Sequence, residues 1–195
     1  MIPFVGLTGG IGSGKSTALA ALERLGAAVL STDSVVHELY ESDEVRDAVI
    51  ERFGPAVAAN GAVDRAALAR VAFATPEDRQ WLEQMLWPRV GAWMVAWREG
   101  LERRAPPPRA AVVEVPLLFE AGMESAFDAT IAVIADEQLR ARRASGRGHD
   151  ALDERLARQL PQQEKAQRAT YVVTNDGDTD QLEAKLSTVL DILGP

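Results

Sequence analysis

Short apolar runs alternate along the chain with segments whose apolar residues recur at helical spacing. Runs with almost no polar residue are typical of parallel strands that helices cover on both faces. The pattern predicts five strands, at Ile2–Leu7, Ala27–Leu30, Ala110–Val115, Ala129–Ala135 and Tyr171–Thr174. It predicts helices at Lys15–Leu25, Asp33–Tyr40, Asp43–Phe53 and Thr179–Leu193. The predicted fold is therefore α/β, a doubly wound five-stranded parallel sheet in a single domain of residues 1–195.

Two helical segments depart from the strict alternation. From about residue 60 to 105 the apolar positions keep helical spacing without a strand, and prolines 106 to 108 end this section. We predict a helical insertion there. From about residue 140 to 168 a second segment concentrates positive charge, which predicts a helical lid, since arginine can clamp phosphoryl charge. Most of its cations are nevertheless expected on an ordinary solvated helix face. The positively charged residues of the whole segment are Arg140, Arg142, Arg143, Arg147, Arg155, Arg158 and Lys165.

One glycine-rich loop follows directly after the first predicted strand. The run from Gly9 to Ser16 fills every fixed position of the phosphate-binding pattern G-x-x-x-x-G-K-[ST]. Glycines let backbone N–H groups turn toward phosphate oxygens, and the helix that follows points its positive end at them. Strand, loop and helix come in the required order, so a merely connecting turn is a weak alternative. The sheet is therefore predicted to be of the P-loop NTPase type and to bind a nucleoside triphosphate.

The chemistry of this loop assigns a predicted role to each of its residues. Lys15 is expected to bridge the β- and γ-phosphates, and the hydroxyl of Ser16 is expected to ligate Mg²⁺. The predicted nucleotide contacts are Gly10, Ile11, Gly12, Ser13, Gly14, Lys15, Ser16 and Thr17.

Charge and composition narrow the range of partners. The 195 residues carry a formal net charge of -8, which argues against a general nucleic-acid binder, and 47% of them are hydrophobic, as in globular proteins. The absence of cysteine excludes a disulfide framework, a thiolate zinc site and a cysteine nucleophile. No run approaches the roughly 20 apolar residues that span a bilayer, and the first residues lack the basic region of a signal peptide. We expect a cytoplasmic monomer with a small anionic ligand.

Two acidic residues near the ends of predicted strands are candidates for chemistry. Asp33 follows the second strand, at the edge where open α/β sheets bind their ligands, and its carboxylate can accept the proton of a hydroxyl nucleophile. The alternative is that Asp33 caps the helix that follows, which does not exclude the first role. Glu114 lies in an otherwise apolar strand, so its carboxylate needs a partner or solvent. Glu114 is a further candidate for a contact with the magnesium shell or the acceptor.

These motifs together resemble those of the dephospho-coenzyme A kinase family over essentially the whole chain. The phosphate loop matches that family's loop nearly residue for residue, and the family's Pro-Leu-Leu-Phe-Glu stands at residues 116–120. The triplet Ser31-Thr32-Asp33 is similar to the family's acidic triplet and keeps its last acid. The terminal section is similar as well, with Gln159, Lys165 and the run from Ala169 to Asn175.

The resemblance implies an ATP-dependent kinase that acts with Mg²⁺. The implied reaction transfers the γ-phosphoryl group of ATP to the ribose 3′-hydroxyl of dephospho-coenzyme A, the last step of coenzyme A synthesis. The catalytic residues implied by the resemblance are Asp33 as base, Lys15, Arg140 and Arg147. Asn175 and Gly177 correspond to the loop on the adenine side. The resemblance also implies that the helical insertion at about 60–105 binds the substrate. The residues implied on the acceptor side are Asp33, Pro116, Leu117, Leu118 and Glu120.

Two other functions stay open at this point. Another P-loop kinase of a nucleotide or small metabolite would share the loop and the lid, although the Pro116–Glu120 turn argues against it. A non-catalytic nucleotide-binding switch would hold ATP or GTP without transferring a phosphoryl group. The Asn-Lys-x-Asp motif expected of a GTPase does not occur in the sequence.

Overall fold

The parallel sheet predicted from the apolar runs is present. The structure is a computed structural model that describes residues 1–145 and 159–194. Its strands are β1 Phe4–Gly9, β2 Ala28–Ser31, β3 Ala58–Ala59, β4 Ala62–Val63, β5 Ala111–Glu114, β6 Ala129–Ile134 and β7 Tyr171–Thr174. Five of them form one sheet in the order β2-β5-β1-β6-β7, and every pairing in that sheet is parallel. The predicted α/β fold is confirmed.

Helices connect these strands. They are α1 Lys15–Arg24, α2 Thr32–Glu41, α3 Asp43–Phe53, α4 Arg65–Ala72, α5 Pro76–Leu101, α6 Glu137–Ser145, α7 Gln162–Arg168 and α8 Thr179–Leu193. All residues of β1 and β5 are buried, as expected for central parallel strands, and α1 packs against α8. The main core includes Val5, Leu7, Leu22, Val112, Ile131, Val133, Leu182 and Leu186.

The register of the sheet places several candidate positions at one edge. Leu7 of β1 is paired with Glu114 of β5, and Glu114 is paired with Ser31, the last residue of β2. The ends of β2 and β5 therefore lie level with Leu7, two residues before β1 ends, and all three strands end at the same edge of the sheet. The glycine-rich loop begins at this edge, where β1 ends at Gly9. Ligands of open α/β sheets bind at such an edge.

The chain divides into two compact units, Thr32–Glu99 and the remainder. The predicted insertion of about 60–105 falls mostly within the first of these, which begins earlier because α2 and α3 pack against each other. This unit also holds the antiparallel hairpin of β3 and β4. Its own core consists of Val45, Val49, Val57, Leu68, Ala72, Leu82 and Leu86.

None of the helices in the described residues is long and apolar enough to cross a membrane.

Candidate active site

The loop between β1 and α1 has a backbone that favours glycine at two positions. Gly12 has a φ of 77° and Gly14 a φ of 92°, both in the left-handed region. A Cβ atom at Gly12 would overlap the main-chain oxygen of Arg140, and one at Gly14 would overlap Nδ2 of Asn175. The glycines therefore permit both the turn and the close approach of neighbouring segments.

Lys15 and the start of α1 complete the phosphate loop. Lys15 is the first residue of α1, and its Nζ donates to the main-chain oxygens of Gly9 at 2.9 Å and Gly10 at 3.3 Å. Among the described residues no side chain caps this N-terminus, and its first turn contains no acid. Ser16 and Thr17 are exposed at the same end. Backbone amides, the helix dipole and an ammonium group thus converge, a combination that binds phosphate.

Asn175 connects the segment after β7 to the phosphate loop by a hydrogen bond. Its side chain is buried, and Nδ2 donates to the main-chain oxygen of Ser13 at 2.8 Å. Its main-chain nitrogen donates to the main-chain oxygen of Ile134, and NH1 of Arg143 donates to the main-chain oxygen of Asn175 at 3.2 Å. The predicted nucleotide contact Asn175 thus lies directly against the loop. Gly177, two residues further on, is exposed.

The substitution Gly14→Ala tests the contact between Asn175 and the phosphate loop. The added methyl group meets Asn175, so the bond to Ser13 must open, and the left-handed backbone adds strain of about 1–3 kcal/mol. We expect the affinity for ATP, measured by calorimetric titration, to fall about 10- to 100-fold. Gly194→Ala is the matched control, because Gly194 has a φ of 78° and open space around its Cβ position. Equal ATP affinity of the two variants would contradict a role in nucleotide binding for the contact between Asn175 and the phosphate loop.

Two side chains hold the peptide groups of Ile11 in the loop. Nε of Arg140, in α6, donates to the main-chain oxygen of Ile11 at 3.1 Å. The amide of Ile11 donates to Oε1 of Gln159 at 3.0 Å. A Cβ at Gly10 would lie 2.7 Å from NH2 of Arg140, so the guanidinium is packed on the loop. The second predicted lid contact, Arg147, lies outside the described residues.

The predicted acceptor-side turn after β5 is partly a core element. Leu118 is fully buried, and its Cδ1 lies 2.5 Å from where a Cβ at Gly6 would be, so its side chain packs on β1. Pro116 and Leu117 are partly buried. Of the apolar residues predicted on the acceptor side, these two retain surface that a ligand can contact.

Glu120, the last residue of that turn, forms a buried ion pair. Its Oε1 lies 2.8 Å from Nζ of Lys165, which is fully buried, and also accepts from the amide of Leu160 at 2.8 Å. Nζ of Lys165 donates further to the main-chain oxygen of Pro116 at 2.9 Å, and Thr8 Oγ1 donates to the same oxygen at 3.3 Å. Burial lowers the pKa of Lys165; the Glu120 carboxylate opposes this shift, whereas the charge of Arg140 adds to it.

Asp33 and Glu114 stand at the carboxyl ends of strands, in different environments. Asp33 is exposed and lies in the first turn of α2, two residues after β2 ends at Ser31. It is the second residue of that helix, so its charge favours the helix N-terminus. Glu114 ends β5 and is only 9% exposed.

Two residues received no individual role from the sequence. Gln159 was named only as a position similar to the family, and its bond to Ile11 joins residues 148 positions apart. Lys165 was named there and among the lid cations, most of which were expected on a solvated helix face, but it is fully buried. No periodicity or spacing marks a buried lysine or a glutamine that reaches a distant amide. The signal available was the similarity of the terminal section itself.

Comparison with known proteins decides the family. The family model described as Dephospho-CoA kinase matches residues 3–181. The chain belongs to the dephospho-CoA kinase family. It is a kinase of coenzyme A biosynthesis, which confirms the activity that the resemblance implied.

Individual relatives are similar along nearly the whole chain. The dephospho-CoA kinase of Deinococcus radiodurans is 39% identical over 189 residues, covering 95% of this chain and 90% of that protein. The dephospho-CoA kinase of Thermus thermophilus is 38% identical over 189 residues, covering 95% and 89%. A Thermus thermophilus protein with a solved crystal structure superposes with a TM-score of 0.82 at 37% identity, covering 100% of this chain and 99% of that one. The similarity thus extends over nearly the whole chain and is not confined to the phosphate loop.

Proposed function

We propose that this kinase transfers the γ-phosphoryl group of ATP to the ribose 3′-hydroxyl of dephospho-CoA. The observation that carries the proposal is the phosphate loop, where the glycine backbone, the ammonium group of Lys15 and the N-terminus of α1 lie together. The chain that contains this loop belongs to the dephospho-CoA kinase family. Phosphoryl transfer needs positioning and charge neutralisation rather than covalent chemistry by the protein. A loop of this kind supplies both.

ATP with Mg²⁺ fits the residues of the loop. The Oγ atom of Ser13 is buried and has no hydrogen-bond partner among the described residues, so a phosphate oxygen would satisfy it. The hydroxyl of Ser16 would hold Mg²⁺ beside the phosphates, an arrangement typical of this ion, which keeps several waters and binds through few protein ligands. The ion supplies neutralisation of phosphate charge. Lys15 adds a second cation at the β- and γ-phosphates.

Asp33 is the proposed general base. The oxygen of the 3′-hydroxyl forms a bond to the γ-phosphorus while the bond from that phosphorus to the β,γ-bridging oxygen of ATP breaks. The hydroxyl proton passes to the carboxylate of Asp33, and ADP leaves. The support is the position of Asp33 in the chain. Asp33 follows β2, whose last residue, Ser31, lies level with Leu7 of β1 in the sheet register, and β1 leads into the phosphate loop.

The remaining predicted contacts are proposed with narrower roles. Arg140 and Arg147 contact the transferred phosphate, and the packing of Arg140 on the loop supports its part. Asn175 and Gly177 form the adenine side. The acceptor side is formed by Asp33, Pro116, Leu117, Leu118 and Glu120, in which Leu118 and Glu120 support the wall from behind: Leu118 is fully buried, and Oε1 of Glu120 pairs with Lys165. The protein is further proposed to be a cytoplasmic monomer without a nucleic-acid partner, in keeping with its net charge of -8.

Acceptor preference tests the substrate directly. Purified protein is incubated with ATP, Mg²⁺ and a panel of acceptors, namely dephospho-CoA, shikimate, a nucleoside monophosphate and water, and ADP release is followed. We expect kcat/KM for dephospho-CoA to exceed that for every other acceptor by at least about 10³-fold, because a site built to bind a substrate's polar groups rejects analogues that lack them. Preference for another acceptor would favour a different metabolite kinase. ATP binding without transfer to any acceptor would favour the switch.

A further inference from the structure

Lysine is rare in this chain, and one lysine is buried. Of the 21 lysine and arginine residues, only Lys15, Lys165 and Lys185 are lysines. Lys165 has an exposed fraction of 0%, whereas Lys185 lies on the surface. Removal of an ammonium group from water is costly unless partners compensate for the lost hydration. The position of Lys165 therefore needs an explanation.

The partners of Lys165 satisfy its charge but do not by themselves explain why it is there. Its ammonium is shared between a carboxylate oxygen of Glu120 and the main-chain oxygen of Pro116. A buried ion pair contributes little net stability compared with well-packed apolar side chains in the same space. Such a pair has a better-supported use in fixing one arrangement of the segments that it joins.

The segments joined here lead to the phosphate loop. The carboxylate oxygen that pairs with Lys165 also accepts the amide of Leu160 at 2.8 Å. The preceding residue, Gln159, accepts the amide of Ile11 at 3.0 Å. The opposite side of Ile11, its main-chain oxygen, is held by Arg140. One continuous set of contacts therefore runs from the buried ammonium to the loop backbone.

We propose that Lys165 and Glu120 are positioning residues for phosphoryl transfer, which hold Gln159 in place so that it fixes the amide of Ile11 in the phosphate loop. The inference rests on the proposed function and adds residues that act through other residues rather than on the substrate. With the pair removed, the Leu160 amide loses its acceptor and Gln159 loses its anchor. The loop backbone then varies in position, and a small misplacement of reacting groups is enough to slow transfer.

A double substitution separates positioning from stability. Lys165→Met alone leaves the Glu120 carboxylate buried without its cation, so the melting temperature is expected to fall. Combining Lys165→Met with Glu120→Met removes both charges and fills the space with apolar groups, so the melting temperature is expected to recover. For this double variant we expect kcat to stay reduced about 10- to 100-fold, with the KM for ATP within about threefold of the wild-type value, because the other loop groups still bind the phosphates. Recovery of kcat together with the melting temperature would overturn the proposal.

Lys185→Met is the matched control. Its Nζ also donates to a main-chain oxygen, that of Thr174, at 2.7 Å, but on the surface. We expect its kcat and KM to equal those of the wild-type enzyme. A loss of kcat as large as that of the double variant would trace the effect to lysine removal in general and overturn the assignment.

Gln159→Ala gives a second test that does not require the buried pair to be altered. Gln159 is partly buried, and its removal leaves the ion pair intact. We expect kcat to fall about tenfold or more, and we expect Gln159→Ala to add little to the double methionine variant, since residues of one pathway are non-additive. Wild-type kcat in Gln159→Ala, or full additivity, would refute the pathway. Failure of the wild-type protein to phosphorylate dephospho-CoA would instead refute the proposed function.

Discussion

Asp33→Asn is expected to lower kcat for phosphorylation of dephospho-CoA by about 100- to 10,000-fold, the range of general base catalysis. Asparagine has the size and shape of aspartate but cannot accept the proton of the 3′-hydroxyl. The affinity for ATP is expected to change little, because the phosphate loop and Lys15 supply the groups that bind the triphosphate. Steady-state ADP release and titration of ATP binding measure the two quantities separately.

The alternative role of Asp33 as a stabiliser of α2 predicts a different result. An acid in the first turn of a helix contributes about 0.3–1 kcal/mol through the helix dipole. Loss of that contribution would shift the melting temperature slightly and leave turnover intact. Asp43→Asn is the matched control, because Asp43 is an exposed acid in the first turn of α3. If both variants turn over substrate like the wild-type enzyme, Asp33 is not the base.

The elements with long or unambiguous patterns could be predicted closely. The sequence prediction matches α3 and α8 at both ends, at Asp43–Phe53 and Thr179–Leu193. It also matches β7 at Tyr171–Thr174. These segments carry their own end signals, such as Ser42, whose hydroxyl accepts the amide of Val45 at the start of α3. Buried parallel strands were recognisable because helices cover both faces and leave no polar positions.

Other features depend on partners that lie far away in the sequence. The first strand was predicted to end at Leu7, because glycines indicated a loop, but β1 continues through Thr8 and Gly9, which pair with Ala132 and Val133 of β6. The hairpin at Ala58–Ala59 and Ala62–Val63 has strands too short to give a period-two pattern. Tertiary pairing decides both cases.

The candidate site divides in the same way. The phosphate loop could be predicted because its function resides in the backbone, and a local pattern of glycines encodes that backbone. The surroundings could be predicted only in part, since Asn175 and Arg140 lie against the loop as predicted. Glu120 was predicted on the acceptor side, but no pattern indicated that its carboxylate accepts a main-chain amide and pairs with Lys165. Burial of a lysine depends on how α7 packs against the sheet, which no local pattern specifies.

Lys15→Ala is expected to weaken ATP binding and transfer together, each by at least about 100-fold, since removal of one preorganised donor to a charged transition state costs about 10²–10³-fold. Two effects combine. The β- and γ-phosphates lose a cation, and the main-chain oxygens of Gly9 and Gly10 lose the donor that lies 2.9 Å and 3.3 Å away. Lys185→Ala removes a surface lysine and serves as control. Calorimetric titration of ATP and a steady-state assay at saturating ATP measure the two losses.

Lys15→Arg decides whether charge alone is sufficient. Arginine keeps the positive charge, but its planar guanidinium donates in a different geometry from the compact ammonium that reaches the main-chain oxygens of Gly9 and Gly10. We therefore expect Lys15→Arg to retain some ATP affinity while kcat falls nearly as far as in Lys15→Ala. Wild-type turnover in Lys15→Arg would show that the loop needs only a nearby cation. Wild-type ATP affinity in Lys15→Ala would contradict the loop as the triphosphate site, because binding at the glycine backbone without Lys15 lacks the cation that neutralises the β- and γ-phosphates.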